Sequence, residues 1–191
     1  IPAKLAGGAV YVQDLRLEGM VHARVVRPPS YEAKLASLDE APILARPGVT
    51  RSVPNGNFLA VLAAREFEAV VAARELAAAA RWRELDSLPE QGRMFAHLLD
   101  LEVEDIPIAH GAGVASRPDV IEARYLRAYQ MHGSIGPSCA LALYREGDLT
   151  VWTHSQGVYP LRRALAQMLA LDPARVRCVH VEGAGCYGHN G

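Results

Sequence analysis

The sequence is short of the features that mark several whole classes of protein. Among 191 residues there are three cysteines, Cys139, Cys178 and Cys186. Their number is odd and no two have CxxC spacing, which argues against a disulfide framework and against a structural zinc site. Neither sign of charge is in excess: the formal net charge is −1, so nothing favours nucleic acid or an anionic membrane as a partner. No apolar run approaches the ~20 residues needed to span a bilayer, so no transmembrane segment is expected in this chain. The opening residues Ile1-Pro2-Ala3-Lys4 lack the basic region and apolar stretch of a signal peptide. For a piece of a longer protein that lack leaves the compartment open. Internal repeats and low-complexity tracts are missing as well.

What is present is a chain that is 50% apolar, long enough to bury a core in one or two compact units. Residues 20 to 27 read as a strand that stops at Pro28-Pro29. Pro47-Gly48 marks a turn before a short strand from Val49 to Val53, and Pro54-Asn55-Gly56-Asn57 turns the chain into a strand from Phe58 to Ala63. From Glu66 to about Ala80 an alanine-rich stretch carrying Phe67, Val70, Val71 and Leu76 reads as a packed helix. Residues 1–84 are therefore expected to form a small α/β unit.

Residues 85–119 change character, with prolines and glycines scattered through them and one short helical stretch around Met94 to Leu99. They read as a connecting segment. A second pattern occupies 120–191. Val120 to Tyr129 alternates apolar and charged residues as a half-exposed strand would. Cys139 to Tyr144 and Leu149 to Thr153 flank Arg145-Glu146-Gly147-Asp148 as a hairpin. Leu161, Ala164, Leu165, Met168 and Leu169 repeat at helical spacing between Gly157 and Asp172-Pro173, and Val176 to Val181 is a strand. The fold class is mixed α/β (α+β).

The last nine residues, Gly183-Ala184-Gly185-Cys186-Tyr187-Gly188-His189-Asn190-Gly191, are the most informative. Glycines at close intervals let the backbone take positive φ and approach a ligand, and successive free N–H groups make a concave site for oxo, phosphate or carboxylate groups. The sequence stops within this loop, so a piece of a longer protein is expected.

Taken together the two halves resemble the molybdopterin-binding large subunit of the xanthine dehydrogenase and aldehyde oxidase family. The first half is similar to its α/β hammerhead domain through Tyr11-Val12-Gln13-Asp14, the stretch Gly19 to Pro29, Pro47-Gly48-Val49, and the strand and helix from Asn57 to Trp82. The second half is similar to the start of its first molybdenum-cofactor domain through Gln130-Met131-His132, Val151-Trp152-Thr153-His154-Ser155-Gln156 and the terminal glycine loop. Ile135-Gly136-Pro137 and Cys186-Tyr187-Gly188-His189 resemble the isoquinoline oxidoreductase and nicotinate dehydrogenase branch. Other branches carry a glutamate before that proline and Gly-Phe-Gly-Gly in the loop.

The resemblance implies a molybdenum–molybdopterin cofactor and oxidative hydroxylation of an aromatic N-heterocycle or an aldehyde, with water as the oxygen source. The pterin dithiolene binds the metal, so the protein has to orient the cofactor and shape a pocket. Implied in the same way is a donor role for Gln156 toward an oxo ligand, an amide being uncharged and no competitor as a base. Gly185, Cys186, Tyr187 and Gly188 would contact the cofactor, with Tyr187 beside the small-molecule substrate. The implied partners are a small subunit with a two-iron, two-sulfur cluster (2Fe-2S) and a c-type cytochrome as a candidate electron acceptor. The family's catalytic base is a glutamate far downstream, and Glu182 does not match it. No catalytic residue is therefore expected here, and the chain alone is expected to carry no molybdenum, no pterin and no activity. Set beside this are blander roles: Gln156 as a helix cap, His132 and His189 as ordinary polar residues, and the loop as part of a noncatalytic anion- or protein-binding domain.

Overall fold

The computed structural model describes residues 2–8, 11–108, 121 and 123–188. Along the chain run α1 (Pro2–Leu5), β1 (His22–Val26), β2 (Lys34–Leu38), α2 (Ala41–Leu44), β3 (Val49–Asn55), β4 (Phe58–Ala63), α3 (Glu66–Ala79), β5 (Ala80–Arg83), α4 (Met94–Asp100), β6 (Ala140–Arg145), β7 (Asp148–Thr153), α5 (Val158–Leu169) and β8 (Val176–His180). They fall into two compact units, one of residues Gly19–Tyr129 and one joining Ile1–Glu18 to Gln130–Gly191.

In the first unit β4 is the central strand of an antiparallel sheet ordered β1-β4-β3, and β2 pairs with β5 in a separate two-stranded sheet. The centrality of β4 explains its run of apolar residues: Leu59, Val61 and Ala63 are fully buried. Helix α3 begins where the Glu68 carboxylate accepts from the Arg65 N–H at 3.1 Å, so one of the helix's orphan donors is satisfied at the first turn. Its buried face is Ala69, Ala72 and Leu76, and the small alanines let the helix lie close to the sheet. Leu76 and Ala72 join Val26, Ile43, Leu59, Val61 and Ala80 in one core. Each large aliphatic side chain buried there contributes about 1.5–3 kcal/mol.

In the second unit β7 pairs antiparallel with β6 and parallel with β8. The β6–β7 turn takes positive φ at both Glu146 (+53°) and Gly147 (+86°), the backbone twist that a two-residue hairpin requires. Helix α5 makes the crossover between the parallel strands. It ends in a left-handed residue, Ala170 at φ +51°, and the Leu171 N–H donates back to the Ala166 carbonyl at 2.9 Å. Its buried residue Ala166 packs with Leu149, Val151 and Val176 into a second, smaller core.

Two sequence expectations are corrected by the structure. Residues 1–84 do not form one unit, because residues 1–18 belong with 130–191. The cause is visible: the Val12 N–H donates to the Glu182 carbonyl at 2.7 Å, Gln13 Nε2 donates to the Pro137 carbonyl at 3.3 Å, and the Lys4 ammonium pairs with the Glu182 carboxylate. The Tyr11-to-Asp14 motif thus completes the far unit. The strand expected over 120–129 is also missing at 121 and 123–129, while 120 and 122 lie outside the described residues. Alternating sequence alone makes no strand, since the ladder needs a neighbour to hydrogen-bond. Ile121 and Tyr125 are 94% and 91% exposed there.

Candidate cofactor loop at the ends of two parallel strands

The site is built from β7 and β8. Thr153 is in register with His180, and the Val181 N–H donates to the Thr153 carbonyl at 2.9 Å. Because the strands are parallel, the segments that follow them, 154–157 and 181–188, leave from the same edge of the sheet. The carboxyl ends of parallel strands are where ligands bind in open α/β sheets. Gln156 lies on the first segment, exposed, in the turn before α5. In that turn the Gly157 N–H donates to Ser155 Oγ at 3.1 Å, so the serine hydroxyl holds the start of α5.

The second segment carries Gly185, Cys186, Tyr187 and Gly188. Positive φ occurs at Gly185 (+91°), Tyr187 (+51°) and Gly188 (+100°). For an aromatic residue that conformation costs roughly 1–3 kcal/mol, strain that persists only where the surroundings impose it. A left-handed residue next to a right-handed one, as at Gly185-Cys186-Tyr187, turns neighbouring N–H groups toward one concave side. Tyr187 lies over Gly185: a Cβ built on that glycine would sit 2.9 Å from two carbons of the tyrosine ring. At Gly188 a Cβ would come within 3.1 Å of His132 Nε2, which places His132 beside the loop. His189 lies outside the described residues.

Within the same unit a cleft of about 470 Å³ opens along the loop, lined by Tyr11, Gln13, Asp14 and Ile135 together with Gly183, Ala184, Gly185 and Tyr187. Asp14 Oδ2 accepts from the Tyr11 N–H at 3.0 Å, which fixes the turn that presents these side chains. Gly185 and Tyr187 are thus brought together at the cleft. Gln156 is not among its lining residues. The contribution of Tyr11, Gln13 and Asp14 was beyond sequence reasoning, because their motif lies more than 120 positions from the loop it meets.

Beneath the loop sits His154, 4% exposed. Its Nε2 accepts the Cys139 N–H at 3.1 Å, so the neutral ring carries its proton on Nδ1. Burial pushes its pKa below the usual histidine value, and the nearby His180 adds to the lowering. His180 in turn directs Nδ1 at the Ser155 carbonyl at 3.0 Å; since a carbonyl only accepts, that nitrogen is the donor. The three cysteines are free thiols. Burial raises the Cys178 pKa, Arg162 opposing, which favours the protonated thiol over the nucleophilic thiolate. Among the described residues no cluster of three or more His, Cys, Asp or Glu side chains converges as a metal site, and no helix is long and apolar enough to cross a membrane.

Comparison with known proteins agrees with the resemblance read from the sequence. The chain is 37% identical over 202 residues to one subunit of the nicotinate dehydrogenase of Pseudomonas putida, an alignment that takes in all of this chain and 17% of that protein. Among solved structures it superposes on quinoline 2-oxidoreductase from Pseudomonas putida 86 with a TM-score of 0.71 at 20% identity, over 96% of this chain and 29% of the other. Aldehyde oxidoreductase from Desulfovibrio gigas matches with a TM-score of 0.65 at 21% identity, over 94% and 25%. These structural likenesses establish a shared fold, and the chain spans about a sixth of its curated relative's length. The family profile described as the molybdopterin cofactor-binding domain matches residues 93–190, just over half of the chain. That span takes in β6 to β8 and the glycine loop, and this chain belongs to the molybdopterin cofactor-binding domain family.

Proposed function

We propose that this chain is the part of a longer molybdenum hydroxylase subunit that supplies one wall of the cofactor site, acting on an aromatic N-heterocycle or an aldehyde. The supporting observation is that the family match ends on a loop whose backbone suits the cofactor. The fit rests on donor chemistry and space. Positive φ at 185, 187 and 188 frees backbone N–H groups for oxo or phosphate oxygens, and glycine at 185 and 188 keeps Cβ atoms out of a crowded place. Gln156 would add an uncharged amide donor from the neighbouring strand end, and Tyr187 a ring at the substrate. Cys186 fits as a small residue beside the cofactor. When bound, molybdenum–molybdopterin supplies oxygen transfer from water to a substrate carbon and takes up the two electrons released.

The overall change is balanced as a C–H bond and water giving a C–OH bond, two protons and two electrons. The electrons require an acceptor, and a 2Fe-2S small subunit or a c-type cytochrome is the proposed partner. The relative's name, nicotinate dehydrogenase, favours an N-heterocycle over an aldehyde. Incubating the intact protein with nicotinate, other N-heteroaromatics and benzaldehyde in isotopically labelled water tests this: the label is expected in a hydroxylated heterocycle. Product carrying unlabelled oxygen, or no product with an artificial electron acceptor, would count against it.

Gln156→Ala in the same protein is expected to lower turnover by an amount equal to about 2–4 kcal/mol of barrier, because the donor acts on charge developing in the transition state. Its melting temperature should stay where it was. Unchanged turnover with a lowered melting temperature would assign Gln156 to capping the start of α5 instead.

A further inference from the structure

We propose that His154 is the positioning residue of the glycine loop: it holds the start of β6 through an acceptor nitrogen while the inner atoms of its side chain, Cβ and Cγ, form the floor on which Gly183 lies. This rests on the functional reading above and adds a residue to it.

Two independent observations carry the inference. The first is the hydrogen bond. The buried imidazole accepts the Cys139 backbone N–H through Nε2 at 3.1 Å, which ties the residue just before β6 to the segment that leaves β7. The second is the contact with Gly183. A Cβ built there would lie 2.3 Å from His154 Cγ, 2.6 Å from its Cβ and 2.7 Å from Cδ2, so only glycine lets the chain cross the ring at this distance. At 4% exposure the ring has nowhere to retreat.

His154 therefore couples three segments: the start of β6, the segment leaving β7 on which it sits, and the loop leaving β8. His180 braces the same corner by its bond to the Ser155 carbonyl, one residue from His154 and one from Gln156. A change in the ring is transmitted in one direction to the loop backbone at Gly183 and in the other to the turn that carries Gln156. A lone buried histidine on a strand end would be packing only. This one binds a specific amide on one side and sets the path of the cofactor loop on the other.

The test separates acceptor from bulk in the intact protein. His154→Phe keeps the atoms beneath Gly183 and removes the acceptor, whereas His154→Gln keeps Cβ and Cγ there and offers an acceptor oxygen near the position of Nε2. The readouts are molybdenum and pterin per subunit and the spin-resonance signal of the partly reduced metal, which reports loop placement without needing turnover. The expected result is loss of more than half of the bound cofactor in the Phe variant, with cofactor content and signal close to wild type in the Gln variant. A Phe variant equal to wild type in both readouts overturns the inference, and so does a Gln variant as depleted as the Phe variant. Should the Phe variant fail to accumulate, the Gln variant decides alone: retained cofactor upholds the role and lost cofactor overturns it. Wild-type protein without molybdenum or pterin defeats the functional reading instead, so the two failures are distinct.

Discussion

His154 shows how much one residue's surroundings decide. Its pKa is lowered, chiefly by burial, so below the ordinary value of 6.5 the unfolded chain binds a proton that the folded chain refuses. Stability then rises with pH across the window below 6.5 and is lost as the pH falls through it. The denaturant midpoint of the 191-residue chain is expected to drop between pH about 7.5 and about 5.5, and His154→Gln should remove His154's share of that drop. A midpoint equally sensitive in the variant would assign the effect to other groups. At this scale the sequence was only partly informative. Gly185, Cys186, Tyr187 and Gly188 stood out because glycines cluster visibly. His154 gave no signal of its own, since whether a histidine is buried and which nitrogen accepts depend on Cys139, fifteen positions earlier, and on Gly183.

At the scale of elements, local pattern and structure agree wherever one strand or helix carries its own burial signature. The strand from Phe58 to Ala63 and the helix starting at Glu66 lie where their sequences put them, because a continuous apolar run between turns and alanine spacing are sufficient there. Leu76, fully buried between α3 and the sheet, is the position where that packing is most exposed to test. Leu76→Ala is expected to destabilise the chain by about 2–5 kcal/mol, through lost transfer energy and a residual cavity. Chemical unfolding measures this directly, and a loss well below that range would mean the site collapses around the gap. Sequence reading fails where an element depends on a distant partner. Lys34–Leu38 and Ala80–Arg83 form a two-stranded sheet that neither segment announces, one being short and mixed in polarity and the other continuing a helix. Residues 123–129 have a strand's alternation and, among the described residues, join no ladder.

For the whole molecule, the arrangement of the N-terminal segment matters most. Residues 1–18 join the unit of 130–191, and Tyr11, Gln13 and Asp14 line the cleft beside the loop, so the cofactor-binding unit is assembled from both ends of this sequence. No periodicity or motif spacing could reveal that, because it is a property of the packed chain. The loop is half-buried at 183–186 and exposed at 187–188; in the proposed reading a second wall of the site repays by burial the entropy of ordering it. The most direct measurement is the molybdenum and pterin content of the purified intact protein, by elemental analysis and by fluorescence of the oxidised pterin. The account predicts one molybdenum and one pterin per subunit, reduced together by substitution of Gly185 with a bulky residue. An intact, folded protein carrying neither would contradict it.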